Sequence, residues 1–170
     1  MSKTSLRKEL LQLEKPQLIE IILNAYSASK DTKEYFEFYL NPDIKALEEK
    51  YRALIIKEFK RTKYGHRSKA RISFIRNCIK KFESFDPGPE YVMELYLFVI
   101  GQALLYERVV YFNPTLFKGF AQMVNSALKY ADSEHSFSSF IEQLNQTISK
   151  SEGSRYFTNL LTETIQTFIS

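Results

Sequence analysis

The sequence contains no tryptophan, one cysteine (Cys78), and only five glycines and five prolines among its 170 residues. A single cysteine excludes an intrachain disulfide framework and is typical of proteins that fold in a reducing compartment. The scarcity of glycine and proline argues against a turn-rich β fold and favours long, uninterrupted helices. An apolar fraction of 44% is ordinary for a chain that builds a core. The composition therefore predicts a folded, helical protein.

The chain also lacks an apolar segment long enough to cross a bilayer. Its most apolar run, residues 91–106, contains Glu94 and Gln102 and falls short of the roughly 20 apolar residues that a transmembrane helix needs. The first residues lead into an amphipathic pattern that has no apolar signal-peptide core. We therefore expect a cytoplasmic protein with no membrane attachment, in which residues 91–106 form a buried core helix.

None of the motifs that mark common enzyme and metal sites is present. The sequence has no G-x-x-x-x-G-K-[ST] phosphate loop, no G-x-S-x-G elbow and no H-E-x-x-H helix. Its two histidines, His66 and His135, belong to no recognisable metal-ligand pattern. We therefore predict no catalytic residue, no metal site and no cofactor.

Apolar residues recur at helical spacing along most of the chain. Capping residues and helix breakers divide this pattern into about eight to nine helices. The predicted helical segments are 4–13, 15–26, 31–41, 43–59, 68–85, 90–108, 114–130, 136–150 and 153–169. Residues 61–66 have no periodicity and contain Gly65, so we predict a loop there. The predicted fold class is all-α, an array or bundle of antiparallel helices with no significant sheet.

The charge divides at the turn Asp86–Pro87–Gly88–Pro89, which is the strongest break in the chain. Residues 1–85 hold 19 Lys and Arg against 11 Asp and Glu, whereas residues 86–170 hold 5 against 9. This division predicts a basic helical half, 1–85, made of an N-terminal hairpin and a basic helix, and an acidic helical half, 86–170. One continuous domain fits equally well, because the linking turn is short and apolar helices flank it.

Between Lys57 and Lys81, ten basic residues accompany a single acid, Glu58. Such a segregated charge points to an external partner, because mixed charges would suffice for solubility. The candidate partner-binding residues are Lys60, Arg61, Lys63, Tyr64, Arg67, Lys69, Arg76, Lys80 and Lys81.

A helix over residues 68–85 separates these charges from an apolar face. Ile72, Ile75, Cys78, Ile79 and Phe82 fall on the apolar side, and Lys69, Arg76 and Lys80 lie nearly in line on the other. We therefore predict that Cys78 is packed and inert. Arg71 falls on the apolar side, where we expect it to extend toward solvent or to pair with an acid.

Several occupants of the basic surface are compatible with the sequence. An acidic protein surface and a nucleic acid both fit, and in the second case Tyr64 would stack on an unpaired base. The cations would otherwise pair with acids of the same fold such as Glu48, Glu49 or Glu58, with the acidic half of the chain, or with a second copy in a homo-oligomer. We expect a non-enzymatic binding protein.

An alternative function is a small helical enzyme or ligand-binding domain with its site near Glu94. This residue falls inside the most apolar predicted helix, where a carboxylate needs a partner or a raised pKa. The tyrosines of the same helix would line such a site. One buried acid does not make acid–base catalysis, which needs a second positioned group.

Three stretches of the sequence, LQLEKPQLIEIILNAY, EYFEFYLNPD and the basic KARISFIRNCIKKF that precedes PGPE, together resemble an uncharacterised bacterial family of helical proteins. The similarity covers most of the chain. It implies an all-helical, bacterial, cytoplasmic protein, and it carries over no catalytic or binding residue. The opening hairpin also resembles SAP-type DNA-binding modules, but only through its leucine spacing, so we interpret it as structural.

Overall fold

The computed structural model of the chain describes residues 1–63 and 66–170. These residues form nine α-helices and a single two-stranded sheet, which confirms the all-α fold class. The helices are α1 (Lys3–Leu10), α2 (Lys15–Ala28), α3 (Lys30–Leu40), α4 (Ile44–Phe59), α5 (Ile72–Glu83), α6 (Pro89–Glu107), α7 (Pro114–Ser133), α8 (Phe137–Ser149) and α9 (Arg155–Ile169); the strands are β1 (Thr62–Lys63) and β2 (Arg67–Ser68).

The helices begin where short polar side chains can cap them. Oxygens of Ser2, Ser29, Asn113 and Ser154 accept hydrogen bonds from the first turns of α1, α3, α7 and α9. Proline stands in the first turn of α2, α6 and α7, where its missing N–H costs nothing. These caps explain why the predicted helical segments agree with the observed helices along most of the chain.

The predicted boundaries differ at the basic segment. Residues 67–68 form β2, so the helix predicted from residue 68 begins only at Ile72. The predicted loop contains β1, which pairs antiparallel with β2 so that Thr62 lies opposite Ser68 and Lys63 opposite Arg67. Strands of two residues are too short to show an alternating pattern, which is why the sequence gives no strand signal here. Residues 64 and 65, which include the candidate Tyr64, lie outside the described residues.

The chain divides into two compact units, Met1–Asp43 and Ile44–Ser170. In the first unit α2 packs against α3, and none of the three helices contains a buried residue. In the second unit α4 and α5 both pack against α6. Helices from both sides of the 86–89 turn therefore share a core. The division of the chain into a basic half, 1–85, and an acidic half, 86–170, stays a prediction that rests on the distribution of charge.

The core of the second unit contains a group of phenylalanines. Phe120 stacks on Phe59 and on Phe112, with ring centroids 5.6 and 5.7 Å apart, and Phe157 lies 6.3 Å from Phe112. Such pairs add about 0.5–1.5 kcal/mol each beyond the burial of their area. Phe112 belongs to the connection between α6 and α7, so this stacking fixes that connection to the core.

The apolar helix α6 is a core helix, as its sequence predicts. Val92, Leu95, Val99 and Leu104 are buried, and α4, α5, α7 and α8 all pack against it. Within the described parts of the chain, neither α6 nor any other helix combines the length and apolarity needed to cross a membrane.

Candidate functional site

The β1–β2 hairpin is fixed to the core of the second unit through Tyr111. The backbone N–H of Ser68 donates to the carbonyl of Tyr111 over 3.0 Å, and the N–H of Tyr111 donates to the carbonyl of His66 over 2.8 Å. Tyr111 itself is 57% exposed, but the next residue, Phe112, is buried. The connection that packs into the core through Phe112 therefore also holds the hairpin in place.

Two cations face each other across this hairpin. Lys63 and Arg67 are directly opposite partners in the strand register, and both side chains are exposed. Like charges placed directly opposite destabilise a strand pair, unless an anion lies between them. The guanidinium of Arg67 lies over the ring of Tyr111, 5.9 Å from its centroid, and this contact directs the side chain.

Much of the basic surface is not covered by acids of the same chain. Among the described residues, no carboxylate lies within ion-pair distance of the following cations: Lys60, Lys63, Arg67, Lys69 and Lys80. We call Lys60, Lys63, Arg67 and Lys69 the cationic surface. Its charge is available to a ligand.

Behind the cationic surface, Glu58 binds two arginines. This carboxylate is only 3% exposed. It accepts a hydrogen bond of 2.8 Å from Arg61 Nη1 and bonds of 2.9 Å from the backbone N–H, Nε and Nη2 of Arg71. Burial alone would raise the pKa of Glu58, but the hydrogen bonds from Arg71 and Arg61 outweigh it, so that the pKa lies below its ordinary value. The expectation that Arg71 pairs with an acid is confirmed.

Arg76 does not lie in the open basic stripe that the helical wheel indicates. Its side chain is half-buried, and its Nη2 donates to Oε1 of Gln122 on α7 over 2.9 Å. The Nε atom of Arg76 is buried and has no hydrogen-bond partner among the described residues. A helical wheel cannot show that α7 packs against this side of α5. The line from Lys69 to Lys80 is therefore interrupted in its middle.

The apolar face of α5 is buried as predicted. Ile75, Ile79 and Phe82 are almost fully enclosed, and Cys78 lies among them. Burial raises the pKa of the Cys78 thiol. A thiol that stays protonated is a poor nucleophile, which agrees with the prediction that this cysteine is packed and inert.

A cavity of about 350 Å³ opens beside the hairpin, where β2 meets the starts of α5 and α7. Its lining residues are Arg61, Ser68, Lys69, Ala70, Ile72, Asn113, Thr115 and Leu116. The structure thus brings two of the predicted binding residues, Arg61 and Lys69, together with polar groups more than 40 residues further along the chain. The sequence identifies Asn113 as a helix start, but it gives no signal that this start lies against the hairpin.

The expectation that Glu94 is buried is wrong. Its side chain is 55% exposed, and its Oε2 atom lies 3.9 Å from Nη2 of Arg52. Burial raises the pKa of Tyr96, on the same helix, and of Tyr130 to about 12, so both stay protonated at neutral pH. Because α6 is apolar along nearly its whole length, its sequence does not indicate which side faces outward. The alternative site near Glu94 depended on a buried acid, and Glu94 is not buried.

In the part of the chain that the structure describes, no three His, Cys, Asp or Glu side chains are grouped so that they could hold a metal ion.

Neither a curated protein nor a solved structure matches the chain. The sequence resembles a family of helical proteins without known function. The bacterial origin and the cytoplasmic location of the protein stay predictions. The model of a family of unknown function, DUF6155, matches residues 1–163. The chain therefore belongs to the DUF6155 family.

Proposed function

We propose that the chain is a non-enzymatic binding protein whose cationic surface binds an acidic segment of a protein partner. The observation that carries this proposal is the Lys63–Arg67 pair. Two cations stand directly opposite each other on a short hairpin, and no acid of the described chain lies beside them. A carboxylate placed between them removes the repulsion, so the free energy of binding includes relief of a cost that the unbound protein bears.

The distribution of the cations favours an acidic protein over a nucleic acid. A strand of nucleic acid is best followed by a groove or stripe of positive charge. Here Arg76 is turned toward Gln122 and interrupts the stripe along α5, which leaves the cationic surface confined to residues 60–69 in and around the hairpin. A nucleic acid remains the second candidate, because the exposed ring of Tyr111 with Arg67 over it resembles a stacking platform.

The test compares a labelled acidic peptide with random-sequence single-stranded DNA and RNA of equal charge, by fluorescence anisotropy at about 50 mM salt and at higher salt. We expect the full chain to bind the peptide more tightly, with an affinity that falls as salt rises. Reversal of both hairpin cations, Lys63→Glu with Arg67→Glu, should weaken binding by about tenfold or more.

The matched control is Lys129→Glu with Lys150→Glu, which reverses two exposed cations elsewhere in the second unit. It leaves the net charge equal to that of the hairpin variant, so any difference between the two reports position and not total charge. Equal loss in both variants, or no binding to either kind of probe, contradicts the proposal. Tighter binding to DNA or RNA than to the peptide replaces it with the second candidate.

A further inference from the structure

We propose that the cavity beside the hairpin binds a phosphate monoester. This inference rests on the proposed function and deepens it, because a phosphorylated side chain of the acidic partner would enter the cavity while neighbouring acids contact the cationic surface. A small phosphorylated metabolite has the same chemistry, and the experiment below separates the two sources.

The polar groups in the cavity lining are donors. Oδ1 of Asn113 already accepts the N–H of Leu116 over 2.9 Å, which leaves the amide nitrogen to donate. Oγ of Ser68 already accepts the N–H of Ala70 over 3.2 Å, so its hydroxyl proton remains for a ligand. Thr115 adds a second hydroxyl. A lining in which oxygens are occupied and protons are available favours an anion.

The charged side chains of the cavity lining are positive, which also favours an anion. Arg61 and Lys69 are the charged residues of its lining, and none of the described lining residues is acidic. Arg61 uses Nη1 to bind Glu58, and the remaining donors of its planar guanidinium are available. Lys69 is exposed and has no ion pair within the described chain. Its backbone N–H donates to the carbonyl of Arg61 over 2.8 Å, which holds the two cations on the same wall.

Donors on two walls suit a tetrahedral anion better than a flat carboxylate. The hairpin side supplies Arg61, Lys69 and Ser68, and the α7 side supplies Asn113 and Thr115. A phosphate monoester offers three strong acceptor oxygens that point in different directions, so it can bind both walls at once. A carboxylate has two oxygens in one plane, so it would bind the donors of one wall and leave those of the other wall to water.

The cavity also has an apolar part that fits the carbon side of an ester. Ala70 and Leu116 are buried, and Ile72 is half-buried at the start of α5. A volume of about 350 Å³ lies at the small end of the range for ligand pockets. It accommodates a phosphate with a short carbon chain, so a phosphorylated serine or threonine side chain is the partner group we infer.

The experiment uses the full chain and three acidic peptides of one sequence that differ at a single position: phosphoserine, glutamate or serine. We expect the phosphoserine peptide to bind about tenfold more tightly than the glutamate peptide. In amide NMR spectra, saturable shifts should appear in residues 68–72 and 113–116. Thr115→Val and Lys69→Gln should remove the preference for phosphoserine, and Thr115→Ser, which keeps the hydroxyl, should retain it.

The matched controls are Lys129→Gln and Thr147→Val, which make the same kinds of change outside the cavity; both should retain the preference. Thermal unfolding of each variant shows whether it remains folded. Equal affinity for the phosphoserine and glutamate peptides, with both lost on reversal of Lys63 and Arg67, overturns the phosphate site but supports the acidic-partner surface. Binding of neither peptide overturns both proposals.

Inorganic phosphate and free O-phosphoserine, each titrated alone, identify the source of the group. Binding that needs the peptide supports a phosphorylated protein partner. Binding of free O-phosphoserine as tightly as the phosphopeptide supports the phosphate site and assigns it to a small phosphorylated molecule. Sulfate bound as tightly as phosphate at equal ionic strength shows a site that accepts any oxyanion, which contradicts the inferred specificity.

Discussion

The carboxylate of Glu58 accepts three hydrogen bonds from Arg71, one from the backbone N–H and two from the guanidinium, each 2.9 Å long. Glu58 lies in the last turn of α4, and Arg71 immediately precedes α5. The pair therefore closes the base of the segment that contains the hairpin. The same carboxylate binds Arg61, so one buried acid positions a lining residue of the cavity and fixes the start of α5.

We expect Glu58→Gln to lower the free energy of unfolding by about 1–3 kcal/mol, because an amide cannot accept all four donors and places its own N–H₂ against a guanidinium. The measurement is urea unfolding at neutral pH. Glu49→Gln, on the exposed side of the same helix, is the control and should change stability by less than about 0.5 kcal/mol. Similar effects in the two variants would show that Glu58 does not anchor the segment.

The stabilising effect of Glu58 should depend on pH in a defined direction. The pKa of Glu58 is lowered from the ordinary value of 4.5 in the folded protein by its hydrogen bonds to Arg71 and Arg61, which outweigh burial. A lowered pKa in the folded state means that the contribution is fully present above pH 4.5 and is lost as pH falls through the folded-state pKa. The stability difference between the unmodified chain and Glu58→Gln should therefore be constant near neutral pH and shrink under acidic conditions. A difference that grows as the pH falls contradicts the assignment.

Removal of residues 1–43 should leave a protein that unfolds cooperatively. All the buried apolar residues of the described chain lie in the second unit, from Leu47 onward. The first unit has no buried residue, and three short helices without a core are only marginally stable in water. Circular dichroism of residues 44–170 should show a sigmoidal thermal transition, whereas a peptide of residues 1–43 should lose its helicity gradually. Loss of cooperativity in 44–170 would show that the second unit is not self-sufficient.

The helices of this protein and the residues of its cationic surface could be predicted from sequence, but the arrangement of the site could not, for a physical reason. A helix is defined by contacts between residues three and four positions apart, and its caps are equally local, so Asn113–Pro114 marks the start of α7 without further information. The hairpin depends on Ser68 and Tyr111, which are far apart in the chain. The burial of Arg76 likewise depends on α7, and the exposure of Glu94 depends on which side of α6 its neighbours leave open.

Arg76→Met tests whether the stripe along α5 takes part in binding. The side chain is half-buried and its Nε atom has no partner in the described structure, so an apolar replacement of similar length should change stability by less than about 1 kcal/mol. We expect the affinity for the acidic peptide to remain within about twofold of the unmodified chain, whereas Lys69→Met should reduce it several-fold. Anisotropy titrations measure both. Equal losses of peptide affinity in Arg76→Met and Lys69→Met would show that Arg76 belongs to the binding surface.

The close contact between α5 and α7 beside the cavity depends on Gly119. A methyl group at this position would lie 2.6 Å from Cγ1 of Ile72, which lines the cavity. In an ordinary helix, replacing glycine with alanine stabilises by about 0.5–1 kcal/mol, but here the crowding should reverse the sign. We expect Gly119→Ala to destabilise by about 1–3 kcal/mol and to weaken binding of the phosphoserine peptide, because Ile72 must move. Gly101→Ala in α6 is the matched control, since its nearest neighbour would be 3.7 Å away at Cγ2 of Thr147, an ordinary contact. That variant should be as stable as the unmodified chain or more stable, with unchanged peptide affinity. If both substitutions stabilise the protein, the approach of α7 to α5 is looser than the structure indicates, and the cavity is not fixed by this contact.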